Sequence, residues 1–300
     1  MINPIVVVRA DGTRAYIQPD RYPGGEVRLP EIPDGDVRVV RVQLESAEDR
    51  EALMLLAEYY INRGGTMPNL VMPYIPYARQ DRRSNAANNA SLSIKAFAWW
   101  LNSMHWNSVT VSDPHSNVST ALIDRVLAVE RKEYVGPFMR CLYEDGITPD
   151  RMAIVAPDTG ALKQTEAIAN MYDIPVMAFA QKHRDEATGT IGPMTIPDGQ
   201  KLCGRHILVC DDICDGGGTF AGLAQAVASY GPASLNLYIT HGVFSKGLNP
   251  LVDYNRIYSP FPFNGYKHLR SQGYWPEGVE YDVFSTQDVP PYETVYYRRK

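Results

Sequence analysis

The residues with the clearest chemical potential follow a short apolar run, Ile207 to Cys210, which has the character of a buried strand. Two adjacent carboxylates come directly after it, and a third carboxylate, three glycines and a threonine follow two residues later. The residues of this segment are Asp211, Asp212, Asp215, Gly216, Gly217, Gly218 and Thr219. Apolar residues at helical spacing begin four residues further on, so the segment predicts a strand, a tight turn and the start of a helix.

A strand, a glycine turn and a helix start together favour the binding of a sugar phosphate. The glycines allow the backbone to approach an anion closely, and the helix start directs N–H groups and partial positive charge toward it. Thr219 can cap the helix or bond an oxygen. Asp211 and Asp212 cannot bind phosphate, but they suit the hydroxyls of a sugar, or Mg²⁺ through water. The alternative is an acidic turn that only caps a helix.

A second polar cluster follows the apolar residues 70–74. It consists of Arg79, Gln80, Asp81, Arg82 and Arg83. Open parallel sheets bind ligands at the carboxyl ends of their strands, which is where this cluster is expected. The alternative is a solvated charge run.

Alternating strands and helices must position these residues. Strands are expected at residues 5–8, 14–18, 26–29, 37–44, 70–74, 109–112, 152–156, 175–180, 207–210 and 235–240. Helices are expected from Ser46 to Gly64, over 91–101, over 121–129, over 159–171 and after Thr219. The pattern restarts near residue 145. We therefore expect an α/β protein of two similar domains, 1–145 and 146–300, each with a central, mostly parallel sheet flanked by helices.

Residues 206–219 resemble the phosphoribosyl-diphosphate (PRPP) loop of type I phosphoribosyltransferases and of ribose-phosphate diphosphokinases, also called PRPP synthetases. That loop has an apolar strand, Asp-Asp, two residues and Asp-Thr-Gly-Gly-Thr. Residues 73–82 resemble the more specific Pro-Tyr-x-x-Tyr-Ala-Arg-Gln-Asp-Arg segment of the synthetases. Further matching segments are residues 113–115, 156–160, 182–184 and 240–245. The resemblance covers about residues 20–247, and it implies a phosphoribosyltransferase-like fold for both domains.

The resemblance to PRPP synthetases also implies a reaction and its partners. A ribose C1 hydroxyl would take the β,γ-diphosphate of ATP, with Mg²⁺ as cofactor and AMP as the second product. Members of the family form homo-oligomers, often hexamers built from dimers. The ATP site would need a neighbouring subunit, because the family segment that matches Tyr22 and Glu26 reaches a neighbour's nucleotide.

The family pattern assigns a role to each matching residue of this sequence. Asp211 and Asp212 would hold the ribose hydroxyls, and the turn from Asp215 to Thr219 would hold the 5-phosphate. The residues implied to serve ATP are Arg79, Gln80, Asp81, His115, Tyr22 and Glu26; those implied to hold Mg²⁺ are His115 and Asp158. Lys182 and Arg184 would close over the transferred diphosphate. Residues 240–245 are implied to be a packing and domain-contact segment.

Three departures from the family pattern affect these expectations. Pro114 stands where the family has leucine, and Gly24 replaces an aspartate that bears on base selectivity. Gly216 replaces the first threonine of the loop, which removes a hydroxyl from the phosphate site. Glycine also opens space where the 5-phosphate ends, so the acceptor is either ribose 5-phosphate or a larger 5-substituted ribose such as ADP-ribose. A phosphoribosyltransferase that consumes PRPP and a catalytically silent regulatory relative are the other two possibilities.

Composition excludes several other classes of function. A formal charge of −5 over 300 residues argues against a nucleic-acid partner, which would need a basic face. No apolar run is long enough to predict a membrane helix, and the first residues lack the pattern of a signal peptide. The four cysteines do not have the spacing of a disulfide scaffold or a zinc site. We therefore expect a reduced, cytoplasmic protein.

Overall fold

A computed structural model describes residues 2–82, 91–184, 191–263, 281–289 and 292–299. The chain divides into two compact units, Met1–Glu130 and Arg131–Lys300. Each unit is built on one main sheet.

The first unit carries a sheet of six strands in the order β2-β1-β5-β6-β7-β8. Its strands are β1 (Ile5–Arg9), β2 (Arg14–Ile17), β3 (Asp20–Arg21), β4 (Val27–Arg28), β5 (Val37–Arg41), β6 (Asn69–Val71), β7 (Ser108–Ser112) and β8 (Val126–Val129). Its helices are α1 (Ala47–Arg63), α2 (Ser93–Asn102) and α3 (Asn117–Leu122). Strands β5 to β8 are parallel, whereas β1 runs antiparallel to both of its neighbours. Strands β3 and β4 form a separate hairpin.

The second unit carries a sheet in the order β10-β9-β13-β14-β15-β18-β17, with β16 paired to β14. Its strands are β9 (Met152–Ala156), β10 (Met177–Phe179), β11 (Gln181–Arg184), β12 (Ile191–Thr195), β13 (His206–Cys214), β14 (Ser234–Gly242), β15 (Arg256–Ser259), β16 (Phe261–Pro262), β17 (Tyr281–Val289) and β18 (Tyr292–Arg299). Its helices are α4 (Gly136–Glu144), α5 (Leu162–Met171) and α6 (Gly218–Ala228). Neighbouring strands are parallel among β10, β9, β13, β14 and β15. Strands β18 and β17 complete the sheet with antiparallel pairing.

The parallel strands of the second unit lie in the core. All five residues of β9 and all nine of β14 are buried, as expected of a parallel sheet with both faces covered. Aromatic rings fill part of this core: Phe138 of α4 stacks on Tyr258, and Tyr258 stacks on Tyr238. The expected α/β architecture with two mostly parallel sheets is confirmed.

The start of α1 follows directly from its sequence. Ser46 accepts the N–H of Asp49 through its hydroxyl, and the Asp49 carboxylate accepts the N–H of Ser46 in return. This reciprocal capping box satisfies two backbone donors that the helix itself leaves open. The helix ends at Gly64, whose φ of 75° is accessible to glycine without strain.

Two local expectations were wrong. The segment expected to be a helix over 121–129 is the end of α3 followed by strand β8, because Ile123 already has an extended backbone and Arg125 adopts a φ of 52°. The apolar residues after it then pair with β7 as an edge strand. The second difference concerns β13, which runs through both aspartates to Cys214 instead of ending before them.

The division between the two units precedes α4, whereas the predicted domain boundary near residue 145 follows this helix. Phe138 packs among the tyrosines of the second sheet. Asp145, at the end of α4, accepts a 2.7 Å hydrogen bond from Arg256 of β15 and lies 2.8 Å from Arg298 of β18. These contacts make α4 part of the second unit.

Within the described residues, no helix combines the length and apolar character that spanning a bilayer would require.

The Ser46→Ala variant tests the capping box. Loss of the serine hydroxyl leaves the Asp49 N–H without its acceptor, and we expect a destabilisation of about 1 kcal/mol. Urea unfolding, monitored by far-UV circular dichroism, should show this destabilisation as a lower urea concentration at the midpoint. Ser103→Ala is a matched control, because this exposed serine only bonds the Trp100 carbonyl at the end of α2. Equal midpoints for the two variants would contradict the role of the capping box.

Candidate active site

Most of the predicted site residues of the second unit follow the carboxyl ends of neighbouring strands. The register pairs Val155 of β9 with Val209 of β13, and Asp211 of β13 with Ile239 of β14. The turns after β9, β13 and β14 therefore leave the sheet at the same edge. Strand β10 adds a fourth turn there, since its Phe179 pairs with Ala156 at the end of β9. Ligands bind at this edge in open parallel sheets.

Asp211 and Asp212 lie within β13, near its carboxyl end. The Asp211 carboxylate accepts the N–H of Asp212 at 3.0 Å, and the Asp212 carboxylate accepts the N–H of Ile213 at 2.9 Å. Both side chains are mostly covered, with Asp212 only 9% exposed. Their carboxylate oxygens are hydrogen-bond acceptors of the kind that sugar hydroxyls require.

A buried arginine lies beneath this acidic pair. The guanidinium of Arg131 donates to the Cys210 carbonyl at 3.0 Å and lies 3.5 Å from the Asp211 carboxylate. Burial raises the pKa of the Asp211 carboxyl well above its usual range, and the neighbouring Asp212 charge raises it further. The Arg131 charge acts in the opposite direction and lowers that pKa. Arg131 therefore favours the charged form of a carboxyl that burial disfavours.

The glycine turn joins β13 to α6. Gly217 has a φ of 74°, and a Cβ on this residue would approach the Pro250 side chain to 2.8 Å. Both facts require glycine at this position. Helix α6 begins at Gly218, and its N-cap is Gly217, which has no side chain to accept a hydrogen bond.

One expectation for this turn was wrong. Thr219 is the second residue of α6 and so does not occupy the N-cap position. The residue that does, Gly217, offers no side chain to the N–H groups of the first turn. The first-turn N–H groups and the partial positive charge at the helix start can therefore serve an anion.

The turn after β14 holds the glycine turn in place. Phe244 donates its N–H to the Cys214 carbonyl at 3.0 Å, and Ser245 donates to the Asp215 carbonyl at 3.1 Å. Phe244 has a φ of 45°, which is unusual for a bulky residue. The side chain of Lys246, one residue further on, lies beside Gly216.

Asp158 follows β9 at the same edge. One of its oxygens accepts the N–H groups of Gly160 and Ala161 at 3.0 and 3.2 Å, which caps the short helix Thr159–Ala161. The described residues contain no group of three or more potential metal-ligating side chains.

Lys182 and Arg184 lie in β11, which follows the carboxyl end of β10. The backbone pairs Lys182 with Met194 and Arg184 with Ile191 of β12. Strands β11 and β12 thus form a short antiparallel pair, and residues 185–190 lie outside the described part of the chain.

The predicted nucleotide residues of the first unit follow two adjacent parallel strands. Arg79 and Gln80 come after β6, and His115 comes after β7; all three are exposed. The side chain of Asp81 is only 7% exposed and lies 3.7 Å from Arg82. Arg83, also part of the predicted cluster, lies outside the described residues.

The turns after β6 and β7 each contain a residue in the left-handed backbone region. Tyr77 has a φ of 63° and Asp113 a φ of 42°. Such conformations cost about 1–3 kcal/mol each and cluster at binding sites. A cavity of about 490 Å³ adjoins Tyr77, with Arg50, Phe97 and Trp100 among its lining residues.

Tyr22 and Glu26 lie together at the tip of the β3–β4 hairpin. The N–H of Tyr22 donates to the Glu26 carbonyl at 2.9 Å, and both residues are exposed. The guanidinium of Arg28 lies 5.3 Å from the centre of the Tyr22 ring.

Sequence reasoning missed two residues of the second unit's edge, Arg131 and Lys246. Arg131 stands in the run Glu130-Arg131-Lys132, which looks like a solvated charge run, and no signal in it marks a buried arginine. Lys246 directly follows the 240–245 segment, so its position beside the edge could have been noticed.

Known proteins resemble this chain in sequence. Residues 132–260 match the family described as Phosphoribosyl transferase domain. The chain is 29% identical over 246 residues to the ribose-phosphate pyrophosphokinase of Maricaulis maris, which covers 79% of this chain and 75% of that protein. It is 32% identical over 213 residues to the ribose-phosphate pyrophosphokinase of Granulibacter bethesdensis, which covers 71% of this chain and 66% of that protein.

A solved structure has the same fold. The phosphoribosylpyrophosphate synthetase from Mycobacterium smegmatis matches with a TM-score of 0.60 at 20% identity, over 81% of this chain and 73% of that chain. The sequence matches and this shared fold confirm the resemblance found in the motifs. The chain belongs to the ribose-phosphate diphosphokinase, or PRPP synthetase, family of enzymes.

Proposed function

We propose that this protein transfers the β,γ-diphosphate of ATP to the C1 hydroxyl of a ribose that carries a phosphate at C5. The oxygen of the C1 hydroxyl attacks the β-phosphorus and loses its proton to water, the bond from that phosphorus to the α,β-bridging oxygen breaks, and AMP leaves with that oxygen. The observation that carries the proposal is the carboxyl edge of the second sheet, where β13 carries two aspartates and is followed by a helix start with a glycine N-cap.

The second unit would bind the sugar. Asp211 and Asp212 accept hydrogen bonds from the ribose 2- and 3-hydroxyls, and the first-turn N–H groups of α6 bind the phosphate on C5. Gly217 permits the close approach of backbone and phosphate that this requires. Binding of the sugar at two points fixes the direction in which the C1 hydroxyl faces the nucleotide.

The first unit would bind ATP. Arg79, Gln80 and His115 are exposed at the ends of adjacent strands, which suits a polyphosphate with several oxygens. Tyr22 and Glu26, at an exposed hairpin tip, would contact the nucleotide of a neighbouring copy in a homo-oligomer. Lys182 and Arg184 would stabilise the charge that develops as the bond to AMP breaks.

The donor groups present fit a magnesium ion shared with the nucleotide. Mg²⁺ takes oxygen ligands and usually keeps several waters, with one or two protein ligands plus substrate phosphates. Asp158 of the second unit offers a carboxylate and His115 of the first unit an imidazole, and each is an acceptable ligand of such an ion. The ion would neutralise phosphate charge.

The acceptor is either ribose 5-phosphate or a 5-substituted ribose such as ADP-ribose. Gly216 lacks the hydroxyl that the family loop offers to the phosphate. A hydrogen bond to a charged group contributes about 1.5–3 kcal/mol, so its loss weakens phosphate binding by about 10- to 150-fold. Glycine also leaves the flexible side chain of Lys246, in place of a fixed side chain at residue 216, beside the 5-phosphate, which favours the larger acceptor.

The principal alternative is a phosphoribosyltransferase that consumes PRPP. It is favoured by the family match over residues 132–260. Such an enzyme would need the glycine turn but would have no use for Arg79 and Gln80. A silent regulatory relative is disfavoured because Lys182, Arg184, His115 and Asp158 are all present.

AMP release from Mg-ATP distinguishes the acceptors. We expect release to depend on ribose 5-phosphate or ADP-ribose, with a higher kcat/KM for ADP-ribose. Measurements with each sugar and with none, under identical conditions, give the comparison. A preference of orders of magnitude for ribose 5-phosphate would exclude the larger acceptor. The absence of AMP release with both sugars would contradict the proposed reaction.

Lys182→Ala tests the proposed transition-state cation. Loss of such a charge is expected to lower kcat by about 10³- to 10⁵-fold, because the charge on the transferred group is then less well neutralised. Lys201→Ala is the control, since this exposed lysine pairs with Asp198 before β13 begins, away from the carboxyl edge. A loss below about tenfold in Lys182→Ala would remove Lys182 from this role.

The pH dependence of sugar use tests the acidic pair. The charged form of Asp211 is the stronger acceptor of hydroxyl hydrogen bonds, and the pKa of this carboxyl is raised. We therefore expect the acidic limb of kcat/KM for the sugar to lie at higher pH than an ordinary aspartate would give. Asp212→Asn removes the neighbouring charge that raises the pKa of Asp211. The acidic limb of kcat/KM should therefore move to lower pH, even though the rate itself falls.

The exposed Asp124 provides the control for this pH experiment. Asp124→Asn should leave the acidic limb unchanged. Because the two carboxyls titrate as a pair, the limb reports the pair and not Asp211 alone. An identical limb in the wild type and in Asp212→Asn would show that the acidic pair does not control sugar binding.

A further inference from the structure

Gly216 is not required by the backbone of the turn. Its φ lies outside the left-handed region, in contrast to that of Gly217. A Cβ on Gly216 would meet only the side chain of Lys246, whose Cδ and Cε lie at 3.6 Å, an ordinary van der Waals distance. The turn could thus accommodate the Cβ of another residue here, and the reason for glycine lies in what occupies the space beside it.

Lys246 occupies that space from a fixed backbone position. The residue before it, Ser245, donates its N–H to the Asp215 carbonyl at 3.1 Å, so the two turns are joined next to Gly216. The aliphatic part of Lys246 then lies along Gly216. Its ammonium is one bond of about 1.5 Å beyond Cε.

The ammonium of Lys246 has no hydrogen-bond or ion-pair partner among the residues that the structure describes, and the side chain is exposed. Nearby, the start of α6 contributes partial positive charge. Lys246 and the helix start are thus two sources of positive charge next to a turn that also carries the Asp215 carboxylate.

We propose that Lys246 binds the phosphate carried on C5 of the acceptor sugar and replaces the hydroxyl that Gly216 lacks. The inference deepens the proposed function and rests on it. A lysine ammonium offers three donors and a full charge, where a threonine hydroxyl offers one neutral donor. Its flexible stem can also follow a phosphate that lies further from the turn, such as the second phosphate of a 5-diphosphate.

The alternative is that Lys246 only covers the turn with its aliphatic stem, as exposed lysines often do. Lys246→Met separates the two, because methionine keeps an unbranched apolar side chain beside Gly216 and removes the charge. Lys246→Arg restores a cation. Lys201→Met is the matched control, since it removes an exposed lysine charge from the same unit before β13 begins.

The experiment measures binding and turnover separately. Titration calorimetry in the presence of Mg²⁺ gives the Kd of ribose 5-phosphate and of ADP-ribose, and AMP release gives kcat and both KM values. We expect Lys246→Met to raise the Kd and KM of the acceptor about 5- to 20-fold, between an exposed ion pair and a charge-assisted hydrogen bond to phosphate. The kcat and the KM for ATP should change less than twofold, and Lys246→Arg should recover most of the affinity.

The two acceptors locate the contact. An equal loss for ribose 5-phosphate and ADP-ribose places Lys246 at the phosphate attached to C5, whereas a larger loss for ADP-ribose places it at the second phosphate. Added salt should weaken acceptor binding more in the wild type than in Lys246→Met, because the charge is exposed.

The outcomes separate this inference from the proposed function. If the wild type binds and uses an acceptor, but Lys246→Met changes its Kd by less than twofold, the role of Lys246 is wrong and the proposed function stands. If the wild type binds neither sugar, both proposals fail. A loss as large in Lys201→Met as in Lys246→Met would also contradict the inference, because the effect would then be one of general charge.

Discussion

The contact between Arg131 and β13 is the interaction on which the acidic part of the site depends. Two neighbouring carboxylates at the buried end of a strand disfavour each other's charge, and burial disfavours both. Arg131, only 4% exposed, counters this with a charge 3.5 Å from Asp211 and a hydrogen bond to the Cys210 carbonyl. Removing one partner of a buried ion pair costs about 3–5 kcal/mol, so the arginine supports both the charge and the strand. It is the first residue of the second unit.

The second unit concentrates its chemistry at one edge through the geometry of parallel strands. Because β10, β9, β13 and β14 run in the same direction, their following turns all leave on one side of the sheet. Strands β9 and β14 are fully buried, and β13 carries Asp211 and Asp212 near its carboxyl end, while the turns differ in what they carry. Hydrogen bonds between the turns after β13 and β14 keep two of these loops in register with each other. The sheet thus provides a rigid base, and the loops determine which anion can bind.

Sequence reasoning predicted most elements because their local signals agree with the fold. Ser46 with Asp49 marks a helix start, and the alternation of apolar strands and helices indicates parallel sheets. It failed where the outcome depends on distant contacts. The segment 126–129 has the apolar content of a helix face, and only pairing with β7 makes it a strand. Phe138 places α4 in the second unit through rings that lie far along the chain.

The candidate site was predictable only where its residues are close together in the sequence. The aspartates and glycines of the β13 turn form one continuous segment, so their proximity follows from the sequence alone. Arg131 reaches Asp211 across a long interval of chain, and nothing near Arg131 in the sequence indicates that contact. The position of Lys246 depends on how the turns after β13 and β14 meet, which needs three-dimensional information.

The pairing of Asp145 with Arg256 and Arg298 has a consequence for the handling of the protein. Arg298 lies in β18, which covers the edge of β15 and contributes to the ion pairs around Asp145. A truncated chain that ends before β18 would lose one of these two cations and expose the hydrogen-bonding groups of β15. Exposed strand edges pair readily with other chains, so shortened forms of this protein would be prone to aggregation.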